Sequence, residues 1–178
     1  YPIDPENDQS YRYFMNKNLF HKINIDINKT HVLNGKASNW EEECSAYDAA
    51  IEAAGGIDLQ VLGIGNNGHI GFNEPGDTFI WGTHRVELTE STIEANSRLF
   101  NSKDEVPRAA LSMGIGNIMT AKQIVLVANG AAKAKAIKDA LEGEITPWCQ
   151  ASILQLHPNV TFILDEEAAS ALEAYKAI

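Results

Sequence analysis

The 178-residue chain has only two cysteines, Cys44 and Cys149, and they have no CxxC spacing. That excludes a disulfide framework. Both are expected to be free, buried thiols of a cytoplasmic protein. Neither Glu-Glu-Cys-Ser nor Trp-Cys-Gln supplies the cationic setting that lowers a thiol pKa, so no nucleophilic role is assigned to them. No apolar run is long enough to cross a bilayer; those at 59–65 and 124–128 are strand-length. Tyr1-Pro2-Ile3-Asp4 does not read as a secretory leader, which needs a basic start and an apolar stretch. Basic residues are scarce: 14 Lys and Arg against 24 Asp and Glu give a formal net charge of −10. This argues against a nucleic-acid surface, although a few cations in one pocket still suffice for a small anion. The sequence shows no cluster of metal ligands, internal repeat, low-complexity tract or linker. Neither a metal nor an organic cofactor is expected, and residues 1–178 are expected to belong to a single α/β domain.

The composition, 44% hydrophobic and 21% charged, suits a soluble chain with a real core. Helices are expected over 10–19, 39–54, 91–98, 131–141, 151–156 and 165–175. Asn39 is expected to cap the second, with Glu42 three residues on, and Gly55-Gly56 to end it. Ser91 is expected to cap the third. Short apolar strands are expected over 57–62, 83–88, 110–113, 123–128 and 160–164. Strands alternating with helices predict a three-layer α/β fold, a mostly parallel sheet covered by helices on both faces. In such sheets ligands bind beyond the carboxyl ends of the strands, which directs attention to the loops after Leu62, Met113 and Ala128.

The loop after Leu62 is rich in chemistry. It reads Gly63-Ile64-Gly65-Asn66-Asn67-Gly68-His69-Ile70-Gly71-Phe72-Asn73-Glu74-Pro75-Gly76. Its glycines permit tight turns and close backbone approach. His69 is the side chain here that both gives and takes a proton near neutral pH, and Glu74 is placed to orient it and stabilise its protonated form. Taken alone, such a loop is also compatible with simple turns and a hydrogen-bonding histidine. Gly63-x-Gly65-x-x-Gly68 matches a dinucleotide fingerprint, but His-Ile-Gly-Phe-Asn-Glu-Pro is no amphipathic helix start, so the loop reading is preferred.

The stretch Leu-Gly-Ile-Gly-x-Asn-Gly-His-Ile-Gly-Phe-Asn-Glu-Pro-Gly closely resembles the signature of the glucosamine-6-phosphate deaminases. The resemblance continues through Asn34-Gly35, Ala95-Asn96-Ser97-Arg98, Val106-Pro107, Ser112-Met113-Gly114-Ile115 and Leu154-Gln155-Leu156-His157-Pro158. It covers essentially the whole chain. Related 6-phosphogluconolactonases share the fold and a Gly-His element, but Phe72-Asn73-Glu74-Pro75 favours the deaminase.

The resemblance implies conversion of glucosamine 6-phosphate and water to fructose 6-phosphate and ammonia, with no cofactor and an amino-sugar phosphate as the small-molecule partner. It implies that His69 shuttles a proton to the ring oxygen and that Glu74 assists it. Asn67 stands where many members have Asp, so the charge beside His69 would rest on Glu74 alone. It implies that Arg98 and Lys133 hold the substrate phosphate. That fits Lys133's place in the first turn of the 131–141 helix, where free amides and the helix dipole favour an anion. Family members also carry a base in an Asn-x-Asp-Glu-Tyr motif and an upstream phosphate loop, and neither occurs here. The chain is therefore expected to be truncated at its N-terminus, inactive alone, and exposed at apolar sheet edges. Asp4 and Asp8 are not promoted to the base. Only His84 and Arg85 lie where some members build an allosteric site, so weak or absent allostery is expected. Assembly of identical copies stays open. So do a galactosamine 6-phosphate substrate, a lactonase-like hydrolase and a non-catalytic sugar-phosphate sensor.

Overall fold

The computed structural model describes residues 1–173. Helix α1 (Tyr11–Asn18) starts where the Ser10 side chain accepts the Tyr13 N–H. Helix α2 (Trp40–Ala53) opens on Asn39, whose side chain accepts the N–H groups of Glu41 and Glu42. Three acidic residues in its first turn suit the helix dipole. Gly55 and Gly56, both at positive φ, end it; the Gly56 N–H returns to Ile51 O at 2.9 Å.

Three strands make the parallel sheet: β1 (Leu59–Leu62), β4 (Gln123–Ala128) and β5 (Val160–Leu164), in the order β1-β4-β5. Leu62 faces Leu126, and Leu126 faces Phe162. Strands β2 (His84–Glu87) and β3 (Ala109–Ser112) form a separate antiparallel pair. The expected 110–113 strand thus begins one residue earlier and ends at Ser112. The α/β class with a parallel sheet flanked by helices is as expected.

One face of that sheet is packed. Leu62, Ile124, Leu126 and Ala128 bury against Ile115 and Ile118 of α4 (Ile115–Met119) and against Ala136, Ile137 and Ala140 of α5 (Ala134–Glu142). Leu126 is wholly buried; replacing it by Ala is expected to cost about 2–5 kcal/mol, the transfer term plus the cavity. On the other face, among the described residues, Leu59, Val61, Val127 and Ile163 remain about half exposed, at 53, 61, 46 and 53%. The exposure lies on a face of the sheet, central strand included, and not at its edges as expected from the sequence. Cys44 and Cys149 are free and buried, and burial raises both thiol pKa values, as their settings led one to expect.

Four local expectations need correction. Helix α3 (Glu90–Asn96) is capped by Thr89, whose Oγ1 accepts the Thr92 N–H at 3.3 Å, and not by Ser91. Beyond Asn96 the chain tightens into a 3₁₀ turn at Ser97–Leu99. The segment expected as a helix over 151–156 is a 3₁₀ helix at Gln150–Leu156. Helix α6 (Glu166–Ala169) is shorter than the expected 165–175: the Ser170 hydroxyl donates to the Glu167 carbonyl at 2.7 Å, a local bond that competes with continuation. Residues 174 and 175 of that expected span lie outside the described residues. Helix α4 has no sequence signal of its own, since its five residues include Gly116 and its apolar positions read as loop.

Candidate active site

Strands β1 and β4 are register partners through Leu62 and Leu126, so their carboxyl ends release two loops side by side. The β1 loop is braced by the last residue of β3 and the one after it. Ser112 Oγ accepts the Phe72 N–H at 2.9 Å, and Asn73 Nδ2 donates to Met113 O at 2.9 Å and Ile70 O at 2.8 Å. Gly71, at φ 60°, lets the chain turn there. No helix follows the glycines. The Ile70–Asn73 bridge closes a tight turn instead, which disposes of the dinucleotide alternative.

Within that frame His69 and Glu74 come together. His69 Nδ1 lies 3.5 Å from Glu74 Oε2, and their side chains are 17% and 6% exposed. The ring rests directly on Gly65: a Cβ there would fall 2.3 Å from its Cε1 and 2.4 Å from its Nδ1. Gly65 therefore serves the approach of the histidine itself. Asn67 works on both partners. Its Nδ2 donates to Glu74 Oε2 at 2.8 Å, and its Oδ1 accepts the His69 N–H at 3.2 Å. Asn67 brings no charge, but it orients the carboxylate and the loop together.

Thr89 Oγ1 also donates to Glu74 Oε2, at 3.3 Å. Burial pushes the Glu74 pKa up, but His69, Thr92 and Asn67 together outweigh it and hold the carboxyl down at about 2. Glu74 is accordingly ionised near neutral pH, and its charge faces the His69 ring.

Arg98 and Lys133 are brought near each other from different elements, the turn after α3 and the turn before α5. Burial and then the Arg98 charge lower the Lys133 ammonium pKa. Among the described residues neither cation has a carboxylate partner. Two like charges kept close without a counterion are chemically suited to an anion. Two amides at the start of the 131–141 helix, where free ones were expected, are engaged instead. Gly130 N–H donates to both Asp165 oxygens at 3.0 Å, and Ala131 N–H to Glu167 Oε2 at 3.2 Å. The Gly130 and Ala131 amides are therefore not free for an anion, whereas the Lys133 and Arg98 side chains have no carboxylate partner among the described residues.

Sequence reasoning missed Thr89, Thr92 and the packing of Tyr1, whose ring sits 5.5 Å from Phe72 and 6.0 Å from Phe100. Burial, and to a lesser degree Glu74, raise its phenol pKa, while a contact with Asn96 acts the other way. The hydroxyls are short-range capping signals in the sequence, and nothing there tells which carboxylate they reach. Asp4 stands 3.6 Å from Lys36, and Asp8 accepts from Gln9; both carboxylates are solvent-facing. No group of three or more metal-ligating side chains exists among the described residues.

A family model for glucosamine-6-phosphate isomerases and 6-phosphogluconolactonases matches residues 2–161. The chain belongs to this family. Within it, the chain is 58% identical over 171 residues to a glucosamine-6-phosphate deaminase of Clostridium perfringens, spanning 96% of this chain and 71% of that one. A deaminase of Clostridioides difficile is 56% identical, with 97% and 69% covered. A solved monomeric glucosamine-6-phosphate deaminase superposes with a TM-score of 0.92 at 44% identity, over 95% of this chain and 70% of the other. The 6-phosphogluconolactonase of Trypanosoma cruzi, at 18% identity and a TM-score of 0.64, shares the fold. The family thus holds both chemistries on one scaffold.

Proposed function

We propose that this chain carries the glucosamine-6-phosphate deaminase activity named for its relatives, converting glucosamine 6-phosphate and water to fructose 6-phosphate and ammonia. The observation that carries the site assignment is the His69–Glu74 pair together with the neighbouring cations Arg98 and Lys133. An acid–base group and an anion receptor at neighbouring strand ends suit a phosphorylated sugar whose ring must open. The phosphate docks on Arg98 and Lys133. His69 delivers a proton to the ring oxygen as the C1–O5 bond breaks and the C1 hydroxyl gives its proton to solvent, leaving the open-chain aldehyde, and the Glu74 carboxylate stabilises the imidazolium form that makes the delivery. Asn67 holds Glu74 in place. The proton transfer between C2 and C1 is assigned to no residue of this chain.

The same proposal includes one α/β domain and a cytoplasmic enzyme. No helix among the described residues is long and apolar enough to cross a membrane. An oligomer is not a requirement of the fold, because the solved deaminase relative is described as monomeric.

The test is ammonia release from glucosamine 6-phosphate by the protein at its full encoded length. Release at a rate well above that with galactosamine 6-phosphate supports the reading. Hydrolysis of 6-phosphogluconolactone without ammonia release assigns a lactonase instead. Tight binding of the sugar phosphate with no turnover assigns a sensor.

A further inference from the structure

Resting on the deaminase reading, we infer that Asp165 and Glu167 are positioning residues for Lys133, acting through the backbone turn that carries it. The turn at 130–133 has little else to hold it. Gly130 sits at φ 86°, and no side chain caps the 3₁₀ segment Ala131–Lys133. Both amides that would otherwise dangle at its start are taken by carboxylates from the segment just after β5. Gly130 N–H lies 3.0 Å from Oδ1 and 3.0 Å from Oδ2 of Asp165, and Ala131 N–H lies 3.2 Å from Glu167 Oε2. Asp165 Oδ1 also accepts the Ala168 N–H at 2.8 Å, which locks α6 to the same point. Lys133 N–H closes the turn onto Gly130 O at 3.0 Å.

This arrangement divides the labour. The carboxylates direct their charge at backbone amides rather than at the Lys133 ammonium. The ammonium is left for the substrate, at a place fixed from behind. Releasing the amides frees a glycine-led turn to relax. A displacement of Lys133 Nζ by about an ångström is enough to weaken a phosphate contact.

The predicted signature is a KM effect with kcat kept, measured as ammonia release by the protein at its full encoded length. Asp165→Ala also removes the α6 cap, so the discriminating variant is Glu167→Ala, which leaves that cap in place. Glu167→Ala is expected to raise KM for glucosamine 6-phosphate about 3- to 10-fold. It should weaken competitive inhibition by inorganic phosphate by the same factor and leave kcat within about twofold. Glu167→Gln keeps the acceptor oxygen and should restore both constants. A wild-type KM and phosphate inhibition in Glu167→Ala overturn the inference. So does Glu167→Gln behaving like the alanine variant, because the charge and not the hydrogen bond would then be the operative property. Absence of ammonia release by the unaltered protein overturns the deaminase reading itself; the turn is then read by calorimetric binding of inorganic phosphate, where a Kd about 3- to 10-fold weaker in Glu167→Ala supports the inference and an unchanged Kd overturns it.

Discussion

Glu74 and Lys133 carry opposite charges at the two ends of the proposed site, and their surroundings are opposite too. Glu74 is 6% exposed, faces His69 and receives hydrogen bonds from Asn67 and Thr89. Lys133 is half-buried, has Arg98 for a neighbour and has no counterion among the described residues. The first charge is satisfied by the protein and held ready to act on a second protein group. The second has no carboxylate partner among the described residues, as the proposed phosphate receptor requires. Chemistry needs a preorganised partner, whereas binding needs an unmet one.

The largest effect on this contrast is expected from Gly65→Ala. Its Cβ would enter the space of the His69 ring, so the ring must leave Glu74 or the loop must shift. An expected loss of about 100-fold in kcat, with a smaller change in KM, is read by steady-state ammonia release. Unchanged kcat would show that the ring tolerates displacement. Glu74→Gln comes next: the imidazolium loses its charge partner while shape is kept, and kcat is expected to fall about 10- to 100-fold.

At the other end, Lys133→Ala should raise KM for the substrate about 10-fold with kcat nearly kept. A collapse of kcat instead would place Lys133 in the chemistry and erase the contrast. Raising ionic strength is the mildest probe. The exposed Arg98 side should screen, giving a KM increase of about 2- to 3-fold between low and high salt, while kcat for the buried pair stays level.

Acid stability offers a structural counterpart. The folded Glu74 pKa of about 2 lies below the ordinary value of 4.5. Its contribution is therefore present in full above about pH 4.5 and is lost as pH falls through about 2. Denaturant midpoints measured down that range should fall more steeply for the unaltered protein than for Glu74→Gln. Parallel curves would mean that Glu74 is not held as an ion.

Much of this is legible in the amino-acid sequence. The apolar run 123–128 is β4 residue for residue, because a short continuous apolar segment followed by Asn-Gly has few other readings. The His69–Glu74 pairing is legible from spacing across a turn stiffened by Pro75. What is not legible depends on contacts distant in sequence. Asp165 reaches Gly130 across 35 residues, and Glu167 reaches Ala131 across 36, so the amides of the 131–141 turn look free when read locally. Gly65 reads as one of several glycines for tight turns and close backbone approach, and only the folded loop shows that its missing side chain is the room for an imidazole. Ser91 and Thr89 are both good caps two residues apart, and the choice between them is made by what each hydroxyl meets in the fold.

The division of proton transfer and phosphate capture between two separately built ends of one site is best tested by paired kinetics. The measurement is kcat and KM for ammonia release by His69→Gln and Arg98→Ala at full encoded length. His69→Gln is expected to lower kcat by about 100- to 10,000-fold with KM nearly unchanged, and Arg98→Ala to raise KM at least about 10-fold with kcat nearly kept. A His69→Gln enzyme that turns over normally and shows only a raised KM would contradict that division.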